Sequence, residues 1–277
     1  MRLLVTGLVW VLTVGVAHTE LRKDIEFAKP AGGVSLTLDA WVPEGKGPFP
    51  AVIVVHGGGF EAGDKTTYVP PLFEPLTRGG FAWFTINYRL APQHPFPAAI
   101  EDCESAIRWV RANAAAFKVD TRRIALVGES AGGHIVAFAG AKFAPDTRVD
   151  AVVSFYGPHD LLARAEGEGK VNRNIRQFLG LPETLDEAAR AKLKEASPIT
   201  YVNRGMPPFL MIHGTEDKAV PFDQSERMCA AMRGAGAACE IFTVAGAPHG
   251  IGAWEKDPAF QSYKKKMIEW LHATLGN

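Results

Sequence analysis

Ser130, Asp217 and His249 are the three residues whose types and order could do nucleophilic chemistry. A serine hydroxyl attacks well only when a base removes its proton, and that base needs a carboxylate to fix its tautomer and stabilise its charged form. Ser130 sits in Gly128-Glu129-Ser130-Ala131-Gly132, between the apolar run Ile124–Val127 and the small-residue segment Ile135–Ala141. Strand, tight turn and helix in that order present a serine on a strained elbow, and glycines on either side let backbone pack closely around it. Such an elbow is followed in the chain by the acid and then the histidine. Of eight histidines, only His249 and His272 come late enough to follow a suitable acid. His272 falls in the closing helix, where a solvated face is the simpler reading, so His249 is taken as the base. Asp217 is the first choice of acid; its neighbour Glu216 and the earlier Asp160 stay open as alternatives.

A tetrahedral intermediate also needs preorganised donors for its oxyanion. The stretch His56-Gly57-Gly58-Gly59-Phe60 follows the apolar, β-branched run Ala51–Val55. Consecutive glycines contribute nothing to packing but leave backbone N–H groups bare. The N–H groups of Gly58 and Gly59, with that of Ala131 next to the serine, are the expected oxyanion donors. Phe60, Tyr88, Glu129 and Trp254 are candidate substrate contacts, with Tyr68 and Phe178 as further aromatic walls; each aromatic reads equally as core, and Glu129 equally as a solvated elbow residue. His134, one helical turn past Ser130, reads as packing or a local hydrogen bond. No Cys/His spacing of metal-binding type occurs, and this chemistry calls for no cofactor.

These residues need a scaffold that brings them together. Strands are expected at 25–29, 34–42, 51–55, 81–88, 124–127, 149–156, 208–212 and 240–244, and helices at 98–117, 135–141, 222–233 and 259–275. The alternation from Ala51 onward argues an α/β fold, a mostly parallel sheet with helices on both faces. His56–Gly59, Ser130, Asp217 and His249 all fall just after expected strands, where function gathers in such sheets. The polar stretch 157–205, helical at 172–179 and 187–195, is long for a connection and is expected to form a small cap over the site.

Thirty basic residues balance thirty acidic ones, and hydrophobic residues make up 47%. Neither a nucleic-acid nor an anionic-membrane partner is indicated. Arg2 followed by the apolar run Leu3–Ala17 reads as a secretory signal peptide over 1–17, which leaves 18–277 as one catalytic domain, secreted or periplasmic; cleavage after Ala17 or Thr19 fits equally. Three cysteines allow at most one disulfide, with Cys229 and Cys239 nearest in sequence, or else free buried thiols.

The motifs His56-Gly57-Gly58-Gly59-Phe60, Tyr88-Arg89-Leu90-Ala91-Pro92, Gly128-Glu129-Ser130-Ala131-Gly132-Gly133 and His213-Gly214-Thr215-Glu216-Asp217 resemble the α/β-hydrolase superfamily. The first three are similar to those of the hormone-sensitive-lipase-like esterases. Two features depart from that group: little chain precedes His56 to make its N-terminal cap, and its Asp-Pro-Leu acid motif is replaced by the segment around Asp217. That segment, with Ser197-Pro198-Ile199-Thr200 and Gln224-Ser225, is closer to the BD-FAE-like (bimodular feruloyl esterase) and acetyl-xylan-esterase-like branch. The resemblance implies a serine carboxylic ester hydrolase without cofactor, acting on small or polysaccharide-linked esters such as acetyl or feruloyl groups of plant polysaccharides. Alternatives are a small-acyl lipase-like esterase, a formamidase-type amidase, and a non-catalytic hydrolase-fold binding protein.

Overall fold

A computed structural model describes residues 21–276; the expected signal segment at 1–17 lies outside the described residues. The elements run β1 (Arg22–Ala28), β2 (Leu36–Trp41), β3 (Phe49–Val55), α1 (Pro70–Arg78), β4 (Ala82–Ile86), α2 (Ala98–Ala112), β5 (Val119–Glu129) and α3 (Ala131–Ala141). They continue with β6 (Ala151–Phe155), α4 (Leu161–Glu168), α5 (Arg173–Leu179), α6 (Glu187–Glu195), β7 (Phe209–Gly214), α7 (Asp223–Gly234), β8 (Cys239–Val244), α8 (Ile251–Trp254) and α9 (Ser262–Leu275). The strands form an eight-stranded sheet in the order β1-β2-β4-β3-β5-β6-β7-β8. Strands β3 to β8 are mutually parallel, and β2 runs antiparallel to both its neighbours. This is the α/β architecture expected from the alternation of elements.

The period of two along each strand divides the core. Ala51, Ile53 and Val55 face one layer, with α2, α3 and α7. Val52 and Val54 face the other, with α1, α8 and α9. Burial on both faces explains why the central strands are continuous apolar runs. Helix α3 is buried along its whole length. Its small residues let it lie close to the sheet: a side chain at Gly132 would strike the backbone carbonyls of Val55 and His56.

Three helices were not legible in the chain: α1, α4 and the single turn α8. No helix is expected at 70–78, where Pro70, Pro71 and Pro75 cluster, yet α1 forms there. Two of its prolines occupy the first turn, where a missing N–H removes no bond, and burial of Leu72 and Leu76 outweighs the bond lost at Pro75. Helix α4 was hidden by its charges; Asp160 caps it by accepting from the Ala163 N–H at 3.0 Å. Helix α2 stops at Ala112, short of the expected Phe117, and α7 runs through Gly234 before Gly236 turns the chain at φ +77°.

Cys229 and Cys239 form a disulfide joining α7 to β8, with Cα atoms 5.3 Å apart, and Cys103 is a buried free thiol. Cys239→Ser should lower unfolding stability by about 2–3 kcal/mol, read by urea denaturation, because the open loop returns entropy to the unfolded chain. An unchanged midpoint would show that the bond constrains nothing.

Candidate active site

The elbow between β5 and α3 holds Ser130 at φ 55°, ψ −113°, and its N–H donates to the Phe155 carbonyl at 2.9 Å. Ser130 Oγ lies 3.0 Å from His249 Nε2, and His249 Nδ1 lies 2.6 Å from Asp217 Oδ2. The loops after β5, β7 and β8 thus bring the three residues into one chain of contacts. Asp217 is 7% exposed. Its Oδ1 accepts from the N–H groups of Ala219 and Val220, each at 2.8 Å, and His213 Nε2 stands 3.4 Å from its Oδ2. Burial works against ionisation here, but the hydrogen bonds from His213 and His249 prevail and hold the carboxyl well below the usual carboxylate range. A carboxylate can only accept, so His249 Nδ1 carries the proton and Nε2 turns a lone pair toward the serine; the tautomer is assigned from this partner.

The glycine loop adopts a left-handed backbone conformation at two successive residues. Gly58 and Gly59 have φ +105° and +63°, and neither N–H finds an acceptor among the described residues. The Ala131 N–H, at the first position of α3, has no intrahelical acceptor either. Several contacts fix this loop. Tyr88 Oη shares its proton between the carbonyls of His56 and Gly57, at 3.1 and 3.2 Å. From α5, Asn174 Nδ2 donates to the Gly59 carbonyl at 3.4 Å, Phe178 stacks on Phe60 at 3.9 Å between centroids, and Arg173 pairs with Glu61 at 3.1 Å.

A cavity of about 600 Å³ opens over Ser130. Phe60, Glu129 and the half-exposed Tyr68 line it, together with Asn172, Asn174 and Ile175 from the stretch between β6 and β7. Two expected contacts are corrected. Trp254 is fully buried among Phe155, Tyr156 and Tyr263, and its Nε1 donates to the Pro248 carbonyl at 2.6 Å. It braces the backbone just before His249 and cannot reach a ligand. Tyr88 lies behind the glycine loop, spent on its carbonyls, and is not part of the cavity wall. Phe178 likewise stands behind Phe60.

The rival acids and bases sit elsewhere. Asp160 is the α4 cap, and Glu216 is exposed and paired with Lys218 at 2.9 Å. His134 bonds the Pro158 carbonyl at 2.6 Å through Nδ1, and His272 packs on Phe81 from α9. Three contributors escaped the sequence reading: His213, Tyr156 and Asn174. His213 and Tyr156 follow the rule that found the others, standing at or just past the carboxyl ends of β7 and β6. Asn174 carried no signal, because its place depends on how the insertion folds.

Together these groups can accept a serine proton, hold the resulting imidazolium against a carboxylate, and stabilise an oxyanion. Known proteins share the arrangement's frame. The family profile described as BD-FAE matches residues 38–232. Esterase LipC of Mycobacterium tuberculosis is 35% identical over 197 residues, 67% of this chain and 49% of that protein. The chain spans about half the length of the curated relatives it matches. Among solved structures, a truncated form of a carbohydrate esterase from gut microbiota superposes with a TM-score of 0.81 at 28% identity, covering 94% of this chain and 97% of that one. Thermogutta terrifontis esterase 2, phosphonylated by sarin, superposes with a TM-score of 0.76 at 27% identity, covering 94% of this chain and 97% of that one. With its α/β-hydrolase architecture and a profile match over more than half its length, the chain belongs to the BD-FAE family.

Proposed function

We propose that this chain is a serine carboxylic ester hydrolase that works through an acyl-enzyme on Ser130. The observation that carries the reading is the unbroken contact chain from Ser130 Oγ through His249 to Asp217, at 3.0 and 2.6 Å. Ser130 Oγ attacks the ester carbonyl as its proton passes to His249 Nε2. The oxyanion forms against the N–H groups of Gly58, Gly59 and Ala131. Collapse expels the alcohol, which takes the proton back from His249, and water then repeats the sequence on the acyl-serine. Asp217 stays ionised throughout and holds the imidazole in the working tautomer.

The substrate class we infer is an acyl ester of a plant polysaccharide, acetyl or feruloyl. Three features support it: a cavity rim carrying Arg164, Asn172 and Lys218, which suits a hydroxyl-rich alcohol; the likeness to a carbohydrate esterase; and the export expected from residues 1–17. A turnover panel of acetylated xylan, methyl ferulate, formamides and nitrophenyl esters of rising chain length tests it. Acetyl or feruloyl release is expected to exceed long-chain ester hydrolysis by tenfold or more in kcat/KM, about 1.4 kcal/mol in the barrier. Preference for long acyl chains, or for formamides, would overturn the substrate assignment.

A further inference from the structure

The steps above leave one buried carboxyl beside the nucleophile without a role. Glu129 is 4% exposed and adjoins Ser130. Its Oε1 accepts from Tyr156 Oη at 3.1 Å, while its buried Oε2 has no hydrogen-bond partner among the described residues. That oxygen lies so close to Gly57 that a side chain there would collide with it. Tyr156 Oη in turn accepts from the Ile251 N–H at 2.7 Å, two residues past His249. The Tyr156 ring meets the His249 ring edge-on, 4.6 Å between centroids, and Tyr156 holds φ at 37°, where a non-glycine residue is strained. Glu129 is therefore joined, through a single phenol, to the loop that carries the base.

We propose that Glu129 is a positioning residue for His249, acting through Tyr156, and that protonating it withdraws this support, so that two protons rather than one switch turnover off on the acid side. The inference rests on the serine hydrolase reading of this same site. As a carboxylate, Glu129 is a strong acceptor that turns the one Tyr156 proton toward Oε1. A phenol lone pair is then left for the Ile251 N–H, and the negative charge favours the imidazolium that forms when Ser130 attacks. As a neutral acid, Glu129 accepts more weakly and the charge is gone.

The groups facing Glu129 fix the sign. Burial pushes its carboxyl up to about 7; the attraction of His249, the hydrogen bond from Tyr156 and the nearby Gly57 N–H pull the other way, and the Asp217 charge adds to the rise. Tyr156 and Tyr88, from the chain just past β6 and past β4, are both pushed up by burial and stay protonated. His56, next to Gly57, is lowered by burial to about 4 and stays neutral. Asp217 stays ionised. Of the carboxyls and phenols that face this site, Glu129 is thus the one held near neutrality. A buried acid that keeps its proton to a higher pH than in the unfolded chain makes the fold less stable as pH rises through the window between the two values.

The test is kcat against pH on the full chain, from about pH 5 to about pH 9, with a soluble acetate ester. Phosphonate labelling on the alkaline plateau is run first; a chain that neither labels nor turns over fails the hydrolase reading, not this one. In the wild type the acid limb of log kcat should approach a slope of two. In Glu129→Gln it should fall to a slope of one, with the plateau kcat lowered about a hundredfold and KM within about twofold. Tyr156→Phe should lower the plateau similarly. A one-proton limb in the wild type, or a two-proton limb kept in Glu129→Gln, would overturn the inference. A second measurement needs no turnover: the Tm of Glu129→Gln minus that of the wild type should rise between about pH 5 and about pH 8, and a constant difference would equally overturn it.

Discussion

Ser130→Ala is expected to lower kcat by about a millionfold, leaving only the rate supplied by binding and the oxyanion donors. The loss is large because the serine, histidine and carboxylate act as a unit. Without Oγ the lone pair on His249 Nε2 has no proton to take, and no acyl-enzyme can form. The variant should fold as the wild type does, since alanine meets the same φ of 55° and the elbow is fixed by backbone, by the Ser130 N–H on the Phe155 carbonyl and by Gly132 against Val55. Steady-state kinetics with matched circular dichroism check this. A variant that keeps more than about a hundredth of wild-type kcat would mean that another group attacks.

Asp217→Asn is the second large effect, a fall in kcat of about ten-thousandfold. The local geometry dictates the direction. The N–H groups of Ala219 and Val220 both donate to Oδ1, so the new amide must keep its oxygen there and turn its NH2 toward His249. His249 Nδ1 would then accept, its proton would move to Nε2, and the imidazole would present a donor to a hydroxyl it has to deprotonate. Asp160→Asn and Glu216→Gln, whose carboxylates serve a helix cap and an exposed ion pair, should stay within about threefold of wild type. Full activity in Asp217→Asn with loss in Asp160→Asn would reassign the acid.

Much of this site was legible before any coordinate because the chemistry demands residue types at strand ends. Ser130, Asp217, His249 and the glycine loop each follow an apolar run long enough to be a buried strand, and the parallel sheet collects those ends on one side. What the chain concealed has physical reasons. Helix α1 forms against its prolines because Leu72 and Leu76 find a core that local propensity does not record. Trp254 and Tyr88 were offered as ligand contacts on aromatic character alone. A large ring near a site is as useful behind it, and here one braces the Pro248 carbonyl and the other the glycine loop. Glu129 read equally as a wall or as a solvated residue. Its burial against Gly57 and Tyr156 arises from two loops distant in sequence, which no local pattern reports. The pairing of Cys229 with Cys239 was open for the same reason, since it depends on how α7 returns to β8.

The central claim is that Ser130 becomes covalently acylated. Its most direct test is mass analysis of the protein after reaction with an active-site phosphonate, followed by peptide mapping. The account requires one adduct per chain, located on Ser130, absent in Ser130→Ala and slowed in His249→Ala. Full ester turnover with no adduct, or an adduct on any other residue, would contradict it.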